Sequence, residues 1–429
     1  MSSRYRTLQA QGGDNDEFII MMDTTEAGTS TDVKLEFLGT ATETYDVDWG
    51  DGTSNTFTHS GSVDTRIKDY SSSGTYTIKI TGNIGQFYRT NLTTDERDAL
   101  KRILDFGKPA NVVLSTNQNN GLQDLSGGNT GRTLTKVRNN TYPHFVANTS
   151  CNSYLAQTNC TSTNMQLESW PTTTTANIKF AHDMFFNSIM SNGAANSTII
   201  DLSGWDTSNL VGAYRMFGGV RPGSESFDNN NLTIVCNTWD MTSCANISEF
   251  AAATGGLEIQ GCENWDISNC TDIGAFATNN PFFNSNVAIW DTANVTKMDN
   301  VFKDASNFNQ PIGVWDTSSV TKMNQMLNGA TSFNQDISNW NILNMSSFPG
   351  MDAMLNDSGM STENYSKWLI SCANQVSGNS DLPSGVFLGA GSIQYNNTTY
   401  GSGTYTDAVN ARAYLTGTAS WNITDGGQA

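Results

Sequence analysis

The segment Thr44-Tyr-Asp-Val-Asp-Trp-Gly-Asp-Gly-Thr53 holds the first residues spaced like a chemical site, the carboxylates Asp46, Asp48 and Asp51. Clustered carboxylates with backbone oxygens could bind a hard cation such as calcium. The segment lacks the full ligand set of an EF-hand loop, and Gly50-Asp51-Gly52-Thr53 is itself a tight-turn signal. The turn reading takes precedence, so calcium stays the one metal considered and no cofactor is expected. A second acidic series is periodic: Asp206, Asp240, Asp266, Asp291 and Asp316 each follow a Trp, and Asn341 takes that place in a sixth unit. General acid–base work would need two carboxylates in different environments. An Asp repeated on a fixed frame instead fits stacked Asx turns, whose side chains accept nearby backbone N–H groups. Asn284, Asn309-Gln310 and Asn334-Gln335 recur likewise and point to an amide ladder.

The cysteines follow the same register. Cys236 and Cys262 precede a repeat Trp by three positions, and Cys244 and Cys270 follow one by five. Stacked in adjacent strands about 4.8 Å apart, they come within disulfide range. Cys244 and Cys270, however, occupy the place of Val295 and Val320, so buried free thiols are expected. Cys151, Cys160 and Cys372 complete no zinc pattern. The three histidines, His59, His144 and His182, are far apart and face no evident nucleophile. No phosphate-loop, HExxH or GxGxxG motif is present. The expectation is therefore no enzyme, with a polysaccharide-active enzyme as an alternative because carboxylates are available for glycoside hydrolysis.

The frame that positions these residues is a repeat. Trp205, Trp239, Trp265, Trp290, Trp315 and Trp340 are spaced by 34, 26, 25, 25 and 25 residues. The units beginning at Trp290 and Trp315 agree in chemistry throughout. Such a period fits a solenoid coil that completes its hydrophobic side only against the next coil. Within a unit, Val295 lies in a β-favouring segment, while Met298, Val301, Phe302 and Ala305 fall at i, i+3, i+4 and i+7. That spacing predicts one strand and one short helix per coil.

Toward the N-terminus, FIIMM, VKLEFLG, YDVDWG and TYTIKITG read as short strands of a β-sandwich. Leu100, Ile103 and Leu104, with Thr93 or Thr94 as caps, predict a linker helix between Leu92 and Phe106. The fold class is thus α+β. An arm over 1–14 leads to a sandwich over 15–88, then to a connector and irregular start of the solenoid over 89–177. The solenoid proper covers 178–360, and a C-terminal cap and tail cover 361–429.

Composition narrows the partners. The 429 residues carry 22 Lys and Arg against 41 Asp and Glu, a net charge of −19, yet only 15% are charged, against roughly 25% in ordinary domains. Too few cations are present for a phosphate-binding stripe, so nucleic acid is not an expected partner. No apolar run approaches the roughly 20 residues that span a bilayer, so no transmembrane segment is expected. The polar N-terminal sequence lacks the apolar core of a secretory signal peptide.

YDVDWGDGT together with SSSGTYTIKITG resembles a PKD-like, immunoglobulin-like β-sandwich over about residues 15–88. The WDTSxVTKM…SFNQ.I..W repeats over roughly 178–360 closely resemble the BspA-like leucine-rich-repeat surface proteins, the DUF285 repeats, and NARAYLTGTASWNITDGG looks like an ending often attached to such arrays. The resemblance implies surface recognition or adhesion, and comparable arrays occur in virion proteins. The expectation is a bacteriophage structural protein in a tail fibre or receptor-binding assembly, folded in host cytoplasm and exposed outside the cell. It would contact other virion proteins and a host-surface glycan or protein, and homo-oligomers are open to it. The alternatives are a capsid decoration protein and a cellular surface adhesin, at the cell surface or secreted.

Overall fold

The computed structural model describes residues 17–25, 31–38, 41–82, 86–88, 100–106, 113–114, 149–150, 159–161, 172–176, 178–191, 197–222, 231–254, 256–347, 349–378 and 385–429. The fold is mixed α/β and strand-rich. Among the described residues two helices exceed a single turn, and no sheet closes into a barrel. The chain divides into two compact units, Met1–Val146 with Thr163–Met165, and Ala147–Ser162 with Gln166–Ala429.

Among the described residues the first unit holds nine strands. They are β1 (Glu17–Asp23), β2 (Asp32–Leu38), β3 (Thr44–Asp48), β4 (Ser54–Thr58), β5 (Asp64–Asp69), β6 (Thr75–Gly82), β7 (Gln86–Tyr88), β8 (Leu100–Phe106) and β9 (Val113–Leu114). One sheet runs β4-β3-β6-β1-β8 and the other β5-β2-β7-β9. Alternation places Val33, Leu35 and Phe37 of β2, Tyr45 and Val47 of β3, and Ile78 and Ile80 of β6 in the core. Trp49, buried beside them, donates its Nε1–H to Asn55 Oδ1 at 2.8 Å, and Tyr70 donates its hydroxyl to the Trp49 carbonyl at 2.7 Å.

The helix expected between Leu92 and Phe106 is corrected where the chain is described, because Leu100–Phe106 is a strand antiparallel to β1. Its ladder shifts register between Ile19 and Ile20 and again between Met21 and Met22. Each shift adds a residue to β8, so Leu100, Ile103 and Phe106 stand opposite Met22, Ile20 and Phe18. Those three β1 residues are buried. A three-residue spacing that reads as helical is here a twice-bulged strand.

The second unit begins with β10 (Thr149–Ser150), β11 (Asn159–Thr161), a single helical turn at Thr172–Thr175, β12 (Ile178–Phe180), β13 (Ile189–Ser191), β14 (Ser197–Asp201), β15 (Arg221–Pro222), β16 (Asn231–Val235) and β17 (Leu257–Gln260). All their pairings are parallel. Beyond them the repeat units lie side by side on single parallel bridges that link Phe180, Gly212, Asn246, Asp272, Lys297 and Lys322 in turn.

Among the described residues the short helix expected in each unit is absent and a run of turns replaces it, while in the later units the expected strand is reduced to a single bridge. Met298, Val301, Phe302 and Ala305 are fully buried, as their spacing requires. The backbone, though, divides its hydrogen bonds. The N–H groups of Met298, Asn300, Phe302 and Asp304 donate to the carbonyls of Lys322, Asn324, Met326 and Asn328 in the next unit, at 2.7 to 3.0 Å. Lys303 and Ala305 donate three residues back, at 3.1 Å. An α-helix would keep every donor inside its own segment, whereas this arrangement zips the units together. It requires two left-handed residues per unit, four apart: Asn300 (φ 58°) and Asp304 (φ 57°), then Gln325 (φ 53°) and Gly329 (φ 73°). Each costs an ordinary L-residue roughly 1–2 kcal/mol. Gly, Asn or Asp occupies the second position in six of the seven units, Asn187, Gly219, Asn279, Asp304, Gly329 and Asp357, with Ala253 the exception.

Helix α1 (Thr362–Ser377) closes the regular units. The Ser361 N–H and the Asn364 amide donate to Asn334 Oδ1 at 2.9 and 3.0 Å, where a further unit would have placed its own groups. Gln375 accepts from the Ile342 N–H at 3.0 Å and donates to the Trp340 carbonyl at 2.9 Å. The parallel ladder nevertheless continues past α1, from Met351 to Leu388 in β18 (Phe387–Gly389) and on to β19 (Asn422–Thr424). Helix α2 (Ala408–Gly417) lies between those strands and packs against α1. Asp425, with its side chain buried, binds Arg412 of α2 at 2.8 Å and Tyr365 of α1 at 3.0 Å.

Candidate recognition surface

The repeated residues take structural positions. Trp205, Trp239, Trp265, Trp290 and Trp315 form a buried column with successive ring centroids 6.1 to 6.5 Å apart and planes within 16° of parallel. Trp340 is buried as well, against the edge of Trp368 in α1. The indole N–H groups of Trp239, Trp290, Trp315 and Trp340 reach a carbonyl of the preceding unit, at 2.8 to 2.9 Å. At Trp265 the indole N–H has no such partner.

Asp206, Asp240, Asp266, Asp291, Asp316 and Asn341 each accept the backbone N–H two residues on, at 2.8 to 3.1 Å. The hydrogen bonds from Ser268 and Ser318 hold the Asp266 and Asp316 carboxyls below the usual range. The amide series is a ladder: Asn284 Oδ1 accepts from the Asn309 N–H at 3.0 Å and the Gln310 amide at 2.8 Å. Asn309 Oδ1 does the same for Asn334 and Gln335, at 2.9 and 2.8 Å.

Among the described residues Cys236, Cys244, Cys262, Cys270 and Cys372 are free and buried. Cys270 donates its thiol to the Cys244 carbonyl at 2.8 Å. Burial pushes the Cys262 thiol up to about 12 and raises Cys236 and Cys372 as well, which makes them poor nucleophiles. In the first unit Asp48 accepts from the Gly50 N–H at 2.9 Å, Asp46 from the Thr56 hydroxyl at 2.5 Å, and Asp51 from Thr53 and from Lys68 at 2.8 Å. The Lys68 bond lowers the Asp51 carboxyl to about 2. Among the described residues no group of three or more His, Cys, Asp or Glu is arranged to hold a metal ion. Nor is any described helix long and apolar enough to cross a membrane.

What reaches the surface along the ladder is a non-repeating set, mostly at the bridge residues and two and three positions after them. In the early units this set is aromatic and charged. Phe180 and His182 pack with ring centroids 5.5 Å apart, and His182 Nδ1 accepts the Tyr214 N–H at 3.1 Å. Burial lowers the His182 pKa, which favours the neutral ring. The Arg215 guanidinium lies 4.1 Å from the Phe186 centroid and 5.1 Å from that of Tyr214. It also pairs with Asp183 and, at 3.8 Å, with Glu249, whose other oxygen accepts the Tyr214 hydroxyl at 3.0 Å. These residues are half-buried, so they are held firmly while their outer surfaces reach solvent. Further along, Lys297 pairs with Asp272 at 3.0 Å, and Asp299 keeps a buried oxygen without a partner, its pKa raised by burial. Of these residues sequence reasoning named only His182, and gave it no role. The available signal was departure from the repeat at outward positions: Tyr214-Arg215 and Ser248-Glu249 stand where later units have Gly274-Ala275 or Asn324-Gln325.

Residues 149–256 and 245–368 match the family described as Mycoplasma protein of unknown function, DUF285, and together cover just over half of the chain. No curated protein and no solved structure is significantly similar to it.

Proposed function

The chain belongs to the DUF285 repeat family, and from that membership we propose a non-enzymatic structural protein that displays a surface for recognition or adhesion. In this reading the repeats form a leucine-rich-repeat-like solenoid, and the two sheets of the first unit form a PKD-like sandwich that mounts or spaces it. One observation carries the reading. The repeated Asp, Asn, Gln and Trp side chains are bonded within or between units, while the outward positions vary and gather Phe180, Phe186, Tyr214 and Arg215 in one place. Aromatic residues and Arg are the side chains that most often dominate binding surfaces.

The setting we favour is a phage virion, in a tail fibre or receptor-binding assembly, built in host cytoplasm and facing a host-surface glycan or protein. Free thiols at Cys236, Cys244, Cys262, Cys270 and Cys372 support folding in a reducing compartment. Immunogold labelling of purified particles and of intact uninfected cells tests this. Gold on tail structures is expected. Gold on capsids moves the protein to decoration, and gold on uninfected cells with bare particles replaces the phage reading with a cellular adhesin. Turnover of a polysaccharide would overturn the non-enzymatic reading itself.

A further inference from the structure

At the C-terminal end of the chain, an open groove of about 520 Å³ lies between the loop ending at Thr406 and helix α2. Its volume falls in the range of small-ligand sites. Tyr405 and Tyr414 line it with ring centroids 4.9 Å apart and planes inclined by 33°. Both rings are half-buried. Around them stand Asp407, Asn410, Thr404 and Thr418. The exposed wall is therefore mainly polar, with hydroxyl, amide and carboxylate groups standing around a narrow strip made by the two tyrosine rings.

The loop is built to hold this shape. Asn374 of α1 clamps the backbone of Tyr405 from both sides, accepting its N–H at 2.8 Å and donating to its carbonyl at 2.9 Å. Gly403 makes the clamp possible: its φ is +148°, and a Cβ there would lie 2.8 Å from the Asn374 amide nitrogen. The Tyr400 N–H donates to the Thr406 carbonyl at 2.8 Å and closes the loop. On the helix side, Asp407 accepts the Asn410 N–H at 2.9 Å and the Asn410 amide at 2.8 Å. With the Val409 N–H also directed at it, that carboxylate keeps about one acceptor site, and Asn410 one amide hydrogen, for a ligand.

We propose that this groove binds a neutral pyranose saccharide. The apolar face of a sugar ring covers the tyrosine strip, and a pair of neighbouring hydroxyls bonds to Asp407 and Asn410. The Asp407 carboxylate, held below its usual pKa by the Asn410 N–H, repels uronic and sialic acids. Pre-ordering by Asn374 lowers the entropy that binding would otherwise cost. The assignment names one ligand class for the recognition role proposed above and rests on that reading.

The test is titration of the full chain with neutral hexose and N-acetylhexosamine oligosaccharides and with acidic ones, read by calorimetry and by saturation transfer from the tyrosine rings. A neutral oligosaccharide should bind. Tyr414→Ala and Asn410→Ala should each weaken it about tenfold, Tyr414→Phe should retain it, and Lys79→Ala, at the surface of the first unit, should leave it unchanged. No binding by any neutral sugar, preference for an acidic one, or indifference to Tyr414→Ala overturns the proposal. Cell or particle attachment measured in parallel separates the two ideas: attachment without sugar binding sinks the groove alone, and sugar binding without attachment sinks the adhesion reading alone.

Discussion

At the residue scale the central column is Trp. Trp290 stacks on Trp265 and Trp315 and donates to the Cys262 carbonyl, so truncation opens a cavity and strands a buried acceptor. Trp290→Ala should cost about 3–5 kcal/mol, read as a lowered denaturation midpoint, and a cost under about 1 kcal/mol would show that the column is not what holds the units. Acid tests the turns. The carboxyls of Asp266, Asp316 and Asp51 sit below their ordinary pKa, Asp51 at about 2. A depressed folded-state pKa contributes stability above the unfolded value of about 4, and that stability is lost as pH falls through the folded one. Denaturant titrations should therefore show stability falling between about pH 4 and pH 2, and a flat profile there would refute the assignment. The Trp-Asp periodicity was legible in sequence because the Asp or Asn makes the same turn bond in each unit and the Trp beside it is buried in each. The Tyr214-Arg215 cluster was not, because its members come from three units and gain meaning only when those units are set side by side.

At the scale of elements, two helical spacings misled for different physical reasons. In β8 two register shifts set residues three apart opposite alternate residues of β1. In the repeats, left-handed residues four apart bury the same positions a helix would, while freeing alternate N–H groups for the next unit. Hydrophobic periodicity reports which residues go inward, and it is silent on where the backbone donors go. The real helix α1 does what the edge of an array requires, supplying side-chain groups where a further unit would have supplied its own. Gln375→Ala leaves the Ile342 N–H and the Trp340 carbonyl without these partners. It should cost about 1–3 kcal/mol and raise hydrogen exchange in the last regular unit before any other, whereas uniform exchange across the array would contradict a capping role.

For the molecule as a whole, the net charge of −19 is spread over a chain that is mostly uncharged, and part of it is committed to turns. In the proposed recognition role, the face offered to a partner would be a few aromatic and paired charged groups on a frame held by many small bonds. The most direct measurement is attachment of the purified full chain to the cells it meets in nature, with Tyr214→Ala/Arg215→Ala compared to wild type and the fold checked by circular dichroism. The recognition account predicts a loss of attachment of about tenfold or more with the fold intact. Undiminished attachment by the folded double variant would contradict it.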